Sequence, residues 1–106
     1  MEMDKIAMLT EILQMNPKDA FARYGLAMEY AGRGDFHDAF AQFELLLEAN
    51  EDYVPGYQMY AQTLVKAGRV DDAVVQLNRG IDCALRVDNQ HALSEMSALL
   101  EEIKGV

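Results

Sequence analysis

Residues 26–40 read Leu-Ala-Met-Glu-Tyr-Ala-Gly-Arg-Gly-Asp-Phe-His-Asp-Ala-Phe, and residues 60–74 read Tyr-Ala-Gln-Thr-Leu-Val-Lys-Ala-Gly-Arg-Val-Asp-Asp-Ala-Val. The two stretches lie 34 residues apart. Superposed, they pair Ala27 with Ala61, Gly34 with Gly68, Asp38 with Asp72 and Ala39 with Ala73, and Gln42 meets Gln76 just beyond. Apolar residues match between these identities: Phe36 with Val70, Phe40 with Val74, Phe43 with Leu77, Leu47 with Ile81. A fixed period of this size marks a chain built by stacking one supersecondary unit on the next.

The unit is a helix, a turn and a helix. In the second copy Tyr57, Tyr60, Ala61 and Leu64 fall at i, i+3, i+4 and i+7, one face of a helix. Ala67-Gly68-Arg69 follows, with glycine where a helix end turns left-handed. Val70, Ala73, Val74 and Leu77 then repeat the helical spacing. The first copy has Leu26, Ala27 and Tyr30, then Gly32-Arg33-Gly34, then Phe36, Ala39, Phe40 and Phe43. Asp35 is placed to cap the helix after that turn.

Working outward, we expect six helices, near residues 4–15, 19–32, 36–49, 53–67, 71–86 and 90–103. The breaks fall at Asn16-Pro17, Gly34, Glu51-Asp52, Gly68 and Asp88-Asn89; proline bars helical angles at the residue before it. Sparse β-branched residues and abundant Ala, Leu, Met, Glu and Gln favour helix throughout. The last helix carries Leu93, Met96, Leu99, Leu100 and Ile103 on one stripe and polar residues elsewhere, as a terminal cap does. The first helix has two stripes, Ile6-Leu9-Leu13 and Met8-Ile12-Met15, together wider than the roughly 100° a surface helix buries. Either this helix wedges between two neighbours, or Met8, Ile12 and Met15 stay exposed and pair with a second chain. Met1, Met3, Met8 and Met15 are four of the seven methionines, a residue suited to adaptable contacts.

The size of 106 residues fits one domain with a modest core. A net charge of −9 leaves no basic surface for nucleic acid and disfavours anionic membranes. No apolar run is long enough to span a bilayer, the N-terminal segment lacks the basic region of a secretory signal, and the single cysteine cannot form an intrachain disulfide. These features lead us to expect a cytoplasmic protein.

No catalytic constellation is legible. His37 and His91 have no partner at metal-ligand spacing, and Cys83 has no neighbouring base to make it a nucleophile. Gly32-Arg33-Gly34 lacks the length and lysine of a phosphate loop. The acidic pairs Glu51-Asp52, Asp71-Asp72 and Glu101-Glu102 read as solvated charge at a turn, a helix start and a helix end. We therefore expect no enzyme, cofactor or metal.

The order of small residue, turn glycine, alanine and large apolar residue resembles the tetratricopeptide repeat. Ala27 and Ala61 match its small first-helix position, Gly34 and Gly68 its turn, Ala39 and Ala73 its second-helix alanine, and Phe43 and Leu77 the large residue after it. Residues 21–30 look like small stand-alone bacterial members. The family's tryptophan position holds Arg23 and Tyr57 here, its closing proline Glu51 and Leu85, and its second small residue Leu46 and Gly80. The resemblance implies an all-α fold, a right-handed α-α superhelix of two helix pairs with a capping helix at each end. As one domain over 1–106, that divides into an N-terminal helix at 1–16, repeats at 19–52 and 53–86, and a capping helix at 88–104.

It also implies a concave surface, lined by the first helix of each pair, that holds a peptide or helix of a partner protein. By position the lining is Phe21, Tyr24, Met28 and Ala31 from the first copy, and Gln58, Gln62, Val65 and Lys66 from the second; some of these are open to packing against the last helix instead. One branch of the family grips a terminal carboxylate with Lys and Asn at the places of Tyr24 and Met28, so that mode is not expected. An aromatic, thioether and amide lining suits an apolar or amphipathic segment, with basic residues to offset the chain's charge. The alternative is self-assembly, a homodimer through the first helix.

Gly80 lies inside the fifth expected helix, where glycine costs about 1 kcal/mol relative to alanine. Mere drift at this position would let Gly80→Ala raise the melting temperature; a close-packed neighbour would reverse the sign.

Overall fold

The computed structural model describes residues 4–105, which form six α-helices: α1 (Lys5–Met15), α2 (Ala20–Gly32), α3 (Phe36–Ala49), α4 (Val54–Lys66), α5 (Val70–Arg86) and α6 (Gln90–Lys104). No strand occurs among the described residues. Each boundary lies within a residue of its expected place, because the punctuation is physical. Gly34 and Gly68 take φ of +79° and +78°, a conformation that side chains resist. Around each the helix end closes with paired bonds. Asp35 N–H donates to the Tyr30 carbonyl at 2.9 Å and Gly34 N–H to Ala31 at 3.1 Å; Arg69 and Gly68 repeat this with Leu64 and Val65 at 2.8 and 3.0 Å. A third end of this kind closes α5, where Asp88 takes the left-handed conformation at φ +58° without being glycine.

Three starts are capped by side chains: Asp4 accepts from Ile6 N–H, Asp19 from Ala22 N–H and Asn89 from Ala92 N–H, at 2.9–3.0 Å. Asp35 occupies the cap position of α3 but its side chain accepts no capping bond, contrary to its expected role.

The chain divides between Asn50 and Glu51 into two compact units. In the first, α2 pairs with α3 and α1 packs on α2. Leu13, Ala22 and Leu26 cluster there with Ile6, Leu9 and Tyr30 against them. Of the two readings of α1, the wedge is not what the structure shows: Ile6-Leu9-Leu13 is turned inward, while Met8, Ile12 and Met15 are 41, 43 and 89% exposed, as in the other reading. One apolar stripe is all that a single neighbouring helix covers.

In the second unit α4 pairs with α5, and α6 packs on α5 with a lesser contact to α4. Gly80 sits at a tightly packed point. A Cβ there would stand 2.6 Å from Met96 Sδ and 2.7 Å from Tyr57 Cβ. The neighbours are side-chain atoms, and the missing methyl is what lets α4, α5 and α6 meet at this point. Tyr57 also donates its hydroxyl to the Glu51 carbonyl at 2.8 Å and lies under the Arg79 guanidinium, 5.3 Å from the ring centroid. Cys83 is buried nearby, its sulfur 3.6 Å from the same carbonyl oxygen.

Candidate peptide-binding surface

Helical spacing brings Gln58, Gln62 and Val65 to one face of α4, and Glu95, Ala98, Leu99 and Glu102 to one face of α6. The two faces and the buried Met96 line a hollow of about 480 Å³ in the second unit. Its apolar part is Val65, Met96, Ala98 and Leu99; its polar part is two amides and two carboxylates, and among the described residues no cation lines it. Gln58 Nε2 donates to Glu95 Oε1 at 3.0 Å, a strut between α4 and α6, and His91 Nε2 lies 3.3 Å from the same oxygen. Lys66, in the last turn of α4, is exposed and stands outside this lining.

The first-copy residues lie on α2 of the first unit. Phe21 is 78% exposed, whereas Tyr24, Met28 and Ala31 are half-buried. A smaller hollow of about 330 Å³ in this unit is lined instead by Pro17, Arg23, Leu45, Glu48 and Ala49. Arg23 is held there, donating to Gln42 Oε1 at 2.8 Å and to the Pro17 carbonyl at 3.0 Å.

Gln58, Gln62 and Val65, expected on the concave face, line the larger hollow. Its α6 wall of Glu95, Met96, Ala98, Leu99 and Glu102 is not among the expected lining residues, although the sequence leaves the lining open to packing against the last helix. The signal was the width of the α6 apolar stripe. At roughly 100° per residue, Leu93 and Leu99 fall about 120° apart with Met96 between them, more than one contact face needs. Burial raises the Tyr57 phenol above its ordinary range despite Arg79, and raises the Cys83 thiol despite Arg86. A thiol so shifted is a poor nucleophile. Among the described residues no three His, Cys, Asp or Glu side chains converge as a metal site, and no helix is long and apolar enough to cross a membrane.

A sequence profile described as tetratricopeptide repeat matches residues 30–99. The solution structure of a tetratricopeptide repeat domain protein from Salinibacter ruber is 33% identical, with a TM-score of 0.79 over 86% of this chain and 92% of that one. A crystal structure of a tetratricopeptide repeat domain protein from the same organism is also 33% identical, with a TM-score of 0.75 over 83 and 98%. The TPR2B domain of yeast Sti1, solved in complex with pHsp70, is 20% identical and shares the fold, with a TM-score of 0.87 over 94 and 80%. A search of curated proteins gave no match. The period of 34, the two left-handed turn glycines and these likenesses together place the chain in the tetratricopeptide repeat family.

Proposed function

We propose that this protein is a protein-interaction module whose second unit takes a basic, amphipathic segment of a partner protein in the hollow between α4 and α6. Tetratricopeptide repeats typically mediate contacts between proteins and are generally non-enzymatic scaffolds, which supports this class. The observation that carries the finer reading is the lining: apolar Val65, Met96, Ala98 and Leu99 bordered by Gln58, Gln62, Glu95 and Glu102. Apolar side chains of a helix or strand fill the floor, and its lysines or arginines meet the carboxylates. The net charge of −9 steers such a segment toward the protein. In the first unit Phe21, Tyr24, Met28 and Ala31 are the residues offered to a partner.

The test uses a fluorescent helical peptide patterned in leucine and lysine, and its leucine and glutamate counterpart, followed by anisotropy. The lysine peptide is expected to bind and to weaken as salt rises. Glu102→Lys is expected to cost roughly fivefold in affinity, equivalent to about 1 kcal/mol. Equal binding of both peptides, or none of either, refutes the reading.

A second reading rests on the exposure of Met8, Ile12 and Met15: α1 is a surface for self-association. Exposed apolar side chains in a row on one helix face favour a partner over solvent.

A further inference from the structure

The helices alternate between two positional types. α2, α4 and α6 share one register: Ala22, Gly56 and Ala92 hold one place, Leu26, Tyr60 and Met96 another, and all six are buried. α1 and α3 share the other: both end on an asparagine, Asn16 at φ −141° and Asn50 at φ −139°. α5 follows α3 at the repeat distance of 34. Among the described residues the order is therefore second, first, second, first, second, first.

The complete pair α4–α5 shows how the two types meet. Gly80 of α5 lies where α4 and α6 both press on it: a Cβ would stand 2.7 Å from Tyr57 Cβ of α4 and 2.6 Å from Met96 Sδ of α6. In α3 the place of Gly80 belongs to Leu46, which is fully buried; in α1 it belongs to Ile12, which is 43% exposed. In α6 the place of Tyr57 belongs to Leu93 and that of the fully buried Ala61 to Ser97, and both are only half-buried. So α1 exposes the face with which a second-type helix receives a first, and α6 leaves partly uncovered the face with which a first-type helix receives a second.

We propose that these two faces meet between copies: α6 of one molecule docks on α1 of another, with Leu93 against Ile12 of the partner subunit. The inference deepens the self-association reading of α1 by naming what covers it. The contact repeats between molecules the pairing that α4 and α5 make within one, and both residues at its centre are apolar. Because two different surfaces meet, each added copy brings one unused face of each kind, and assembly grows with concentration. Both surfaces belong to a chain of charge −9, so the contact opposes like-charge repulsion and strengthens as salt screens it. Peptide binding in the hollow has the opposite salt dependence, and Leu99 and Leu93 lie on opposite edges of the α6 stripe.

The test is sedimentation velocity of the whole chain, from about 10 μM to about 1 mM, a span that resolves weak contacts. The wild-type mass is expected to climb with concentration, and further with salt. Ile12→Glu and Leu93→Glu are each expected to remain monomeric alone, because each spoils one face. Mixed in equal amounts they are expected to form a one-to-one dimer and stop, since only one intact face of each kind is left. If Leu93→Glu loses helical circular dichroism, Ser97→Arg takes its place and should behave the same way. A wild-type monomer throughout overturns both this proposal and the self-association reading. A Leu93→Glu variant that assembles while Ile12→Glu does not shows α1 meeting α1, which overturns the proposal and keeps the broader reading.

Discussion

Gly80→Ala is the substitution whose sign discriminates most sharply. On helix propensity alone it stabilises α5 by about 1 kcal/mol. Against that stands the space at position 80, where the new methyl would lie 2.6 Å from Met96 Sδ and 2.7 Å from Tyr57 Cβ, with ordinary contact beginning at 3.4 Å. The thioether end of Met96 can swing aside. Tyr57 Cβ cannot, because it is one bond from the α4 backbone, so α4 and α5 must part by several tenths of an ångström. Overpacking of this kind costs about 1–3 kcal/mol, and two simultaneous clashes put it in the upper half of that range. The net expectation is a loss of about 1–2 kcal/mol, which lowers the melting temperature by roughly 5–15 °C in a domain of this size. Thermal and urea unfolding followed by circular dichroism measure it. Repeating the substitution in a Met96→Ala background removes the sulfur and should recover only part of the loss. A Gly80→Ala protein that melts higher than wild type refutes the argument that the helices meet at this glycine.

Ala39 is fully buried in α3, so Ala39→Leu is expected to cost about 1–3 kcal/mol in urea unfolding; an unchanged midpoint would mean the α2–α3 crossing has room to spare. Asp88 holds a left-handed conformation that glycine adopts freely, so Asp88→Gly should stabilise by about 0.5–1 kcal/mol; destabilisation would show that its contact with Gln90, 2.9 Å away, matters more than backbone strain. Burial raises Cys83 and Tyr57 in the folded chain, so the unfolded chain releases these protons first. The stability they lend is complete below the ordinary thiol value of about 9 and is lost as pH climbs through the folded values. In Cys83→Ala the alkaline loss should set in later, near the ordinary phenol value of about 10. A urea midpoint that holds level from neutral to strongly alkaline pH would contradict this.

The helices were legible because their ends are fixed by local chemistry: a proline after Asn16, and glycines at 34 and 68, the residue type that most readily accepts the left-handed backbone they adopt. The sequence marks a break at Asp88-Asn89, but the left-handed backbone of Asp88 is not legible in it, since aspartate signals that conformation weakly. Asp35 looked like a cap because its residue type and place were right; whether the carboxylate turns to the helix is a rotamer choice that spacing does not encode. Gly80 showed its helical cost in the sequence, whereas the neighbours that justify it come from α4 and α6, 23 and 16 residues away. The hollow was half legible for the same reason. Gln58, Gln62 and Val65 share one helix and follow from periodicity, while Glu95, Leu99 and Glu102 reach them only through the packing of α6.

Cys83 gives the protein an intrinsic reporter. It is the chain's single thiol, and it is enclosed within the second unit. A small alkylating reagent reaches it only when the helices around it come apart, so the labelling rate divided by that of a free thiol gives the opening equilibrium of this half. No label or engineered site is needed. Occupants of the hollow that hold α4 and α6 together would announce themselves as slower alkylation, read by mass spectrometry one thiol at a time.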